Sequence, residues 1–123
     1  MRVLRLCWLG IPAREYAPMV GLLRDVMGLR VEFEERATTE LSLPSGDRVQ
    51  VFASGHPSFG RSGGAPVALF EVDDVRAARD ELVAAGIEIV GGLERDAAWE
   101  WINFRAPDGN LYELAARLAD AGQ

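Results

Sequence analysis

Two stretches of this chain follow one plan, and any fold must satisfy both. Val3 to Ile11 is mostly apolar and stops at Pro12, as a buried strand would. Tyr16, Met19, Val20, Leu23, Val26 and Met27 then recur at helical spacing, with Gly28 at the C-terminal cap position. Strand-like Leu29 to Glu35 and Thr38 to Leu43 follow, then the turn Pro44-Ser45-Gly46-Asp47, then Arg48 to Ala53. The second half repeats this βαβββ order. Val67 to Val72 reads as a strand, and Asp73 or Asp74 can cap a helix carrying Val75, Ala78, Leu82 and Val83. Gly86 ends that helix, and strand-like stretches return at Ile87 to Val90, Trp99 to Arg105 and Leu111 to Ala115. GLRV from Gly28 matches GIEI from Gly86, and Ser45-Gly46-Asp47 matches Asp108-Gly109-Asn110.

The repeat predicts an α+β protein of two βαβββ modules that form a curved mixed sheet, with helices on the outer face and an open cup on the other. Module one covers 1–54, a linker loop rich in Gly, Ser and Pro covers 55–65, module two covers 66–117, and a short tail covers 118–123. A single domain is expected over 1–123, because neither half alone holds enough core. Strand alternation sorts the side chains. Leu9, Ile11, Val49, Val51, Ala68, Phe70, Val72, Ile102 and Phe104 make one apolar face, so Trp8, Gln50, Val67, Trp101, Asn103 and Glu113 fall on the other.

Composition excludes several functions. A net charge of -6 argues against nucleic acid, which needs a basic face, and tolerates or even favours a cationic small molecule. The basic residues are all Arg. One cysteine, Cys7, allows no internal disulfide and reads as a buried structural thiol, so a cytoplasmic protein is expected. The apolar run of MRVLRLCWLGIP is short and broken by Arg5, unlike a signal peptide, and no membrane span is expected.

The paired βαβββ order, the segment FEVDDVRAARDELVAAGIEI and the closing FRAPDGNLYEL resemble the vicinal oxygen chelate superfamily, which includes glyoxalase I, extradiol dioxygenases, methylmalonyl-CoA epimerases and bleomycin-resistance proteins. The resemblance covers nearly the whole chain. In metal-dependent members a His or Glu projects from each of four cup positions, and here those positions hold Trp8, Gln50, Val67 and Glu113. Only Glu113 is a good ligand, and about three are needed to hold a catalytic metal. The resemblance therefore implies no metal cofactor unless His56, the single histidine, or a partner chain completes a site. A loop position makes His56 an exposed surface residue by default. The resemblance also implies a homodimer.

What remains is an aromatic and amphipathic cup: Trp8, Phe52 and Trp101, with Phe59 and Trp99 as further candidates, beside the polar Gln50, Asn103 and Glu113. Such a set suits a protein that binds a small aromatic or cationic organic molecule, as the bleomycin-resistance branch does. The alternative is a lyase, isomerase or dioxygenase with an unusual metal site, or with Glu113 as general base. The tryptophans can equally pack on one another or on a second subunit, and Glu113 can form an ion pair with Arg48. Asp73 and Asp74 are read as helix caps rather than catalytic acids.

Overall fold

The computed structural model describes residues 1–118. The chain builds two compact units, one of Cys7–Val67 and one that joins Met1–Leu6 to the chain from Ala68 onward.

In the first unit, strands β1 (Val3–Pro12, from Cys7), β2 (Arg30–Glu35), β3 (Thr38–Ser42) and β4 (Arg48–Phe52) lie in the order β2-β3-β4-β1. β1 runs parallel to β4, and the other pairs are antiparallel. Helix α1 (Tyr16–Gly21) covers one sheet face and buries Val20, and Leu23 of the following segment joins it against Leu41 and Val51. The spacing predicts one helix through Met27. Instead the chain widens to a π-helix over Leu22–Val26, with the Met27 N–H bonded to the Leu22 carbonyl at 2.9 Å. That i→i+5 turn breaks the 3.6-residue stripe, which leaves Val26 and Met27 exposed.

The second unit repeats the order as β5-β8-β7-β6, from β5 (Val67–Val72, from Ala68), β6 (Glu88–Arg95), β7 (Trp99–Arg105) and β8 (Leu111–Arg117). Here β5 is parallel to β8, and the β6-β7 and β7-β8 pairs are antiparallel. Val75 and Ala78 of helix α3 (Val75–Ala84) pack on Val72, Ile102, Leu114 and Ala116. Asp74, not Asp73, caps α3: its Oδ1 accepts from the N–H groups of Arg76 and Ala77, each at 3.1 Å. Asp73 instead accepts from the N–H of Arg2 at 3.3 Å.

The two hairpin turns agree down to their hydrogen bonds. Gly46 donates to the Leu43 carbonyl and Gly109 to the Ala106 carbonyl, both at 2.9 Å. Both glycines sit at positive φ, 90° and 85°, where a side chain would strain the backbone.

Two expectations need correction. The linker is not wholly a loop, because it contains helix α2 (Pro57–Ser62). Pro57 brings a preset φ to the first turn, His56 caps it, and Gly63 ends it at φ 69°. β1 is not buried along its length: Val3, Leu4 and Leu6 are exposed, while Cys7 is buried as expected. The expected tail lies outside the described residues beyond Leu118, whose N–H bonds the Ala98 carbonyl at 2.8 Å.

Candidate functional site

In the first unit the core face takes Ile11, Leu41, Val49 and Val51. Alternation turns Trp8, Gln50 and Phe52 to the other face, as expected. Trp8 and Gly10 are neighbours on that face, and the indole lies along β1 directly over the glycine. A Cβ on Gly10 would fall 2.5 Å from Cη2 of Trp8 and 3.3 Å from Cε2 of Phe52, so only glycine leaves the ring this seat. The indole then meets Phe52 with centroids 6.2 Å apart, and Phe52 meets His56 at 4.8 Å.

His56 is therefore not the exposed loop residue expected from sequence. Half-buried, it uses Nδ1 to accept the N–H of Ser58 at 3.1 Å, which places the proton of the neutral ring on Nε2. Its approach to Phe52 depends on α2, and a linker read as coil gave no sign of that helix. Phe59, on α2, stacks under the guanidinium of Arg14 at 5.6 Å.

Gln50 is oriented by a chain of bonds. Thr38 is buried and gives its hydroxyl hydrogen to the Val51 carbonyl at 2.8 Å. The Thr38 oxygen can then only accept, so the amide nitrogen of Gln50 faces it at 3.0 Å. Arg48 is held by Glu40 at 2.6 Å and Glu32 at 3.8 Å, so its guanidinium is engaged within its own module. The Ser42 hydroxyl donates to Glu32 at 2.6 Å and, with Arg30 and Arg48, holds that carboxyl below the usual range against a smaller desolvation effect. Val67, a predicted cup residue, is 6% exposed.

In the second unit the core face takes Ile102, Phe104, Leu114 and Ala116, so Trp101, Asn103 and Glu113 share the other face. Asn103 stands in register with Glu113 of β8 on one side and Val90 of β6 on the other. Glu113 lies between Asn103 and Leu69 of β5. Trp101 faces Ala115, whose small side chain leaves the indole room. Trp99, by contrast, lies under the guanidinium of Arg117 at 4.4 Å, and Arg117 also reaches Glu71 at 3.8 Å. Trp99 thus makes a surface cation–π contact.

Asn103 is unusual. It is 1% exposed, yet neither Nδ2 nor Oδ1 has a hydrogen-bond partner. Burying an amide without partners costs roughly 1–3 kcal/mol on mutational scales. Sequence alternation gives the face of this residue but not its depth or its lack of partners.

Two βαβββ modules of equal topology define a paired-module α+β protein. The sequence pattern of the Glyoxalase/Bleomycin resistance protein/Dioxygenase superfamily matches residues 5–114, and the chain belongs to that superfamily. Its fold is that of the vicinal oxygen chelate proteins. The Mn(II)-bound glyoxalase of Novosphingobium aromaticivorans is similar at TM-score 0.75 and 19% identity, over 94% of this chain and 39% of that one. The methylmalonyl-CoA epimerase of Mycobacterium tuberculosis is similar at 0.73 and 22%, over 94% and 89%. An extradiol ring-cleaving dioxygenase of B. fuscum is similar at 0.76 and 16%, over 96% and 34%. This chain thus spans only 39% and 34% of the length of two of these proteins. No curated protein sequence matches it.

The residues at the four family positions do not fit a divalent ion. Trp8 and Val67 have no ligating side-chain atom, Gln50, whose amide nitrogen is engaged by Thr38, offers only a neutral carbonyl oxygen, and one carboxylate, Glu113, remains. Among the described residues, no three or more His, Cys, Asp or Glu are gathered so as to hold a metal. Nor is any described helix long and apolar enough to cross a membrane.

Proposed function

We propose that this protein binds a small aromatic or cationic organic molecule without a metal, as a glyoxalase/bleomycin-resistance-like binding protein. The observation that carries this reading is the fate of the position held by Trp8. Where a metal-dependent relative would present a ligand, this chain presents an indole seated over Gly10 against Phe52. An aromatic surface of this kind attracts planar or cationic groups. Within the first unit Gln50 offers a polar partner and Val67 an apolar contact; in the second, Asn103 and Glu113 offer polar groups and Trp101 an aromatic one. The net charge of -6 favours a cation over an anion. Proposed together with this are a cytoplasmic location and a homodimer.

The test has two parts. Metal content is measured by mass spectrometry on untagged protein, before and after incubation with zinc, nickel, manganese and ferrous iron followed by desalting. Trace metal throughout, with tryptophan quenching or a thermal shift by an aromatic or cationic compound, is the expected result. Near-stoichiometric retention of one ion would overturn the metal-free reading and bring the enzyme alternative forward. Silence across a diverse set of antibiotics and metabolites would remove the binding reading itself.

A further inference from the structure

Thr38, Glu40 and Gln50 share one face of the first unit's sheet with Trp8 and Gly10. Gln50 is the register neighbour of Gly10 on β1 and of Glu40 on β3, so its side chain borders the indole that lies over Gly10. A freely turning amide would offer a ligand either a donor or an acceptor. Here Thr38 decides. Its hydroxyl hydrogen is committed to the Val51 carbonyl at 2.8 Å, so its oxygen takes the N–H of Gln50 at 3.0 Å. The opposite turn of the amide would set two acceptors face to face.

The carbonyl oxygen of Gln50 is left with both lone pairs. Among the described residues nothing donates to it, and Gln50 is half-buried rather than sealed from solvent. Glu40 adds a second acceptor beside it, since one carboxylate oxygen takes Arg48 at 2.6 Å and the other has no partner among the described residues. A ligand acceptor placed next to Gln50 would therefore meet a carboxylate. A ligand donor would meet two oxygens.

We infer that the edge of the Trp8 platform selects an aromatic amine, a flat ring bearing an exocyclic NH2 group. Gln50 is its specificity-determining residue, and Thr38 is the positioning residue that aims the amide. The ring lies on the indole, and the amino group donates to the Gln50 carbonyl. With two N–H bonds, an NH2 group suits paired acceptors better than a hydroxyl, which has one. This rests on the organic-ligand reading above and names the chemical class of that ligand.

Isothermal titration calorimetry with 6-aminoquinoline and 6-methoxyquinoline tests it, because the two share a ring system and present a donor or only an acceptor. The wild type should bind the amine at least about five-fold more tightly, the effect of one hydrogen bond made or lost. Gln50→Met removes the acceptor at similar length and should abolish that preference. Thr38→Val frees the amide to turn and should reduce the preference, while Thr38→Ser, which keeps the hydroxyl, should retain it. Equal binding of both compounds by the wild type, or tighter binding of the methoxy compound, would overturn the amine inference and leave the aromatic-ligand reading standing. A preference that persists in Gln50→Met would overturn it too, as would a wild type that binds neither compound. In that last case, binding of other aromatic compounds in the broad screen would show that the reading beneath it survives.

Discussion

At Gly10 the backbone and two aromatic rings compete for one small volume. A methyl group there would lie 2.5 Å from one atom of the Trp8 ring and 2.9 Å from another, well inside van der Waals contact. The rigid indole can yield only by swinging off its seat. Gly10→Ala is therefore expected to destabilise the protein by about 1–3 kcal/mol, the usual range for overpacking, and to alter the near-ultraviolet circular dichroism of the tryptophans. In the Gly10→Ala, Trp8→Leu double variant most of that loss should return, since the clashing ring is gone. An unchanged spectrum and urea midpoint in Gly10→Ala would mean that Trp8 does not rest on Gly10. Alternation was enough to place Trp8 and Gln50 on the right face, because a period of two depends only on local sequence. It could not reveal the glycine seat or the hydroxyl of Thr38, since both depend on how side chains from separate positions settle together.

The β7–β8 hairpin shows the same division at the level of an element. Its turn, PDGN, is legible as a reversal because Gly109 is needed at positive φ. Less legible is a bond across the turn, in which the Tyr112 hydroxyl donates to Asp108 at 2.6 Å while its ring stacks on Phe104 with centroids 5.8 Å apart. That hydroxyl, with the N–H of Asn110, holds the Asp108 carboxyl below the usual aspartate range, and Asp108 raises the Tyr112 phenol. The signs follow from linkage. A depressed carboxyl stabilises the fold above its unfolded pKa of about 3.9 and loses that contribution as pH falls through the lower folded value. A raised phenol contributes below about pH 10 and loses its contribution as pH climbs through the higher folded value. Tyr112→Phe keeps the stack and deletes the bond, so it should lower the urea midpoint modestly near neutral pH and converge on the wild type at both extremes. A pH-independent difference would show that the hydroxyl acts by packing alone. Elements were readable wherever a periodic pattern met a cap or turn, as at β5, α3 and β7. α2 and the π-helix were not, because a six-residue helix is set by its caps and a wide turn by tertiary packing.

For the whole molecule, the exposed half of β1 poses the remaining question. Leu4 and Leu6 keep 45% and 56% of their surface open, and Val3 keeps 53%. Alternation puts Leu4 and Leu6 on one face and Val3 on the other, so Leu4 and Leu6 make a short apolar strip rather than the scattered exposure normal on surfaces. Its occupant, on the proposal of a homodimer, is the same strip of a second copy, since a two-fold contact places like surface on like. Light scattering at micromolar concentration should then return twice the 13.4 kDa chain mass, and the melting temperature should rise with protein concentration. Leu6→Glu would put a carboxylate into that contact while leaving the module cores untouched, because Leu6 belongs to neither core cluster. The variant should run as a monomer with unchanged far-ultraviolet circular dichroism. A wild type that stays at 13.4 kDa at about 100 µM, tens of times the dissociation constant of even a modest micromolar dimer, would remove the homodimer proposal. It would leave the proposal of ligand binding to be judged within a single chain.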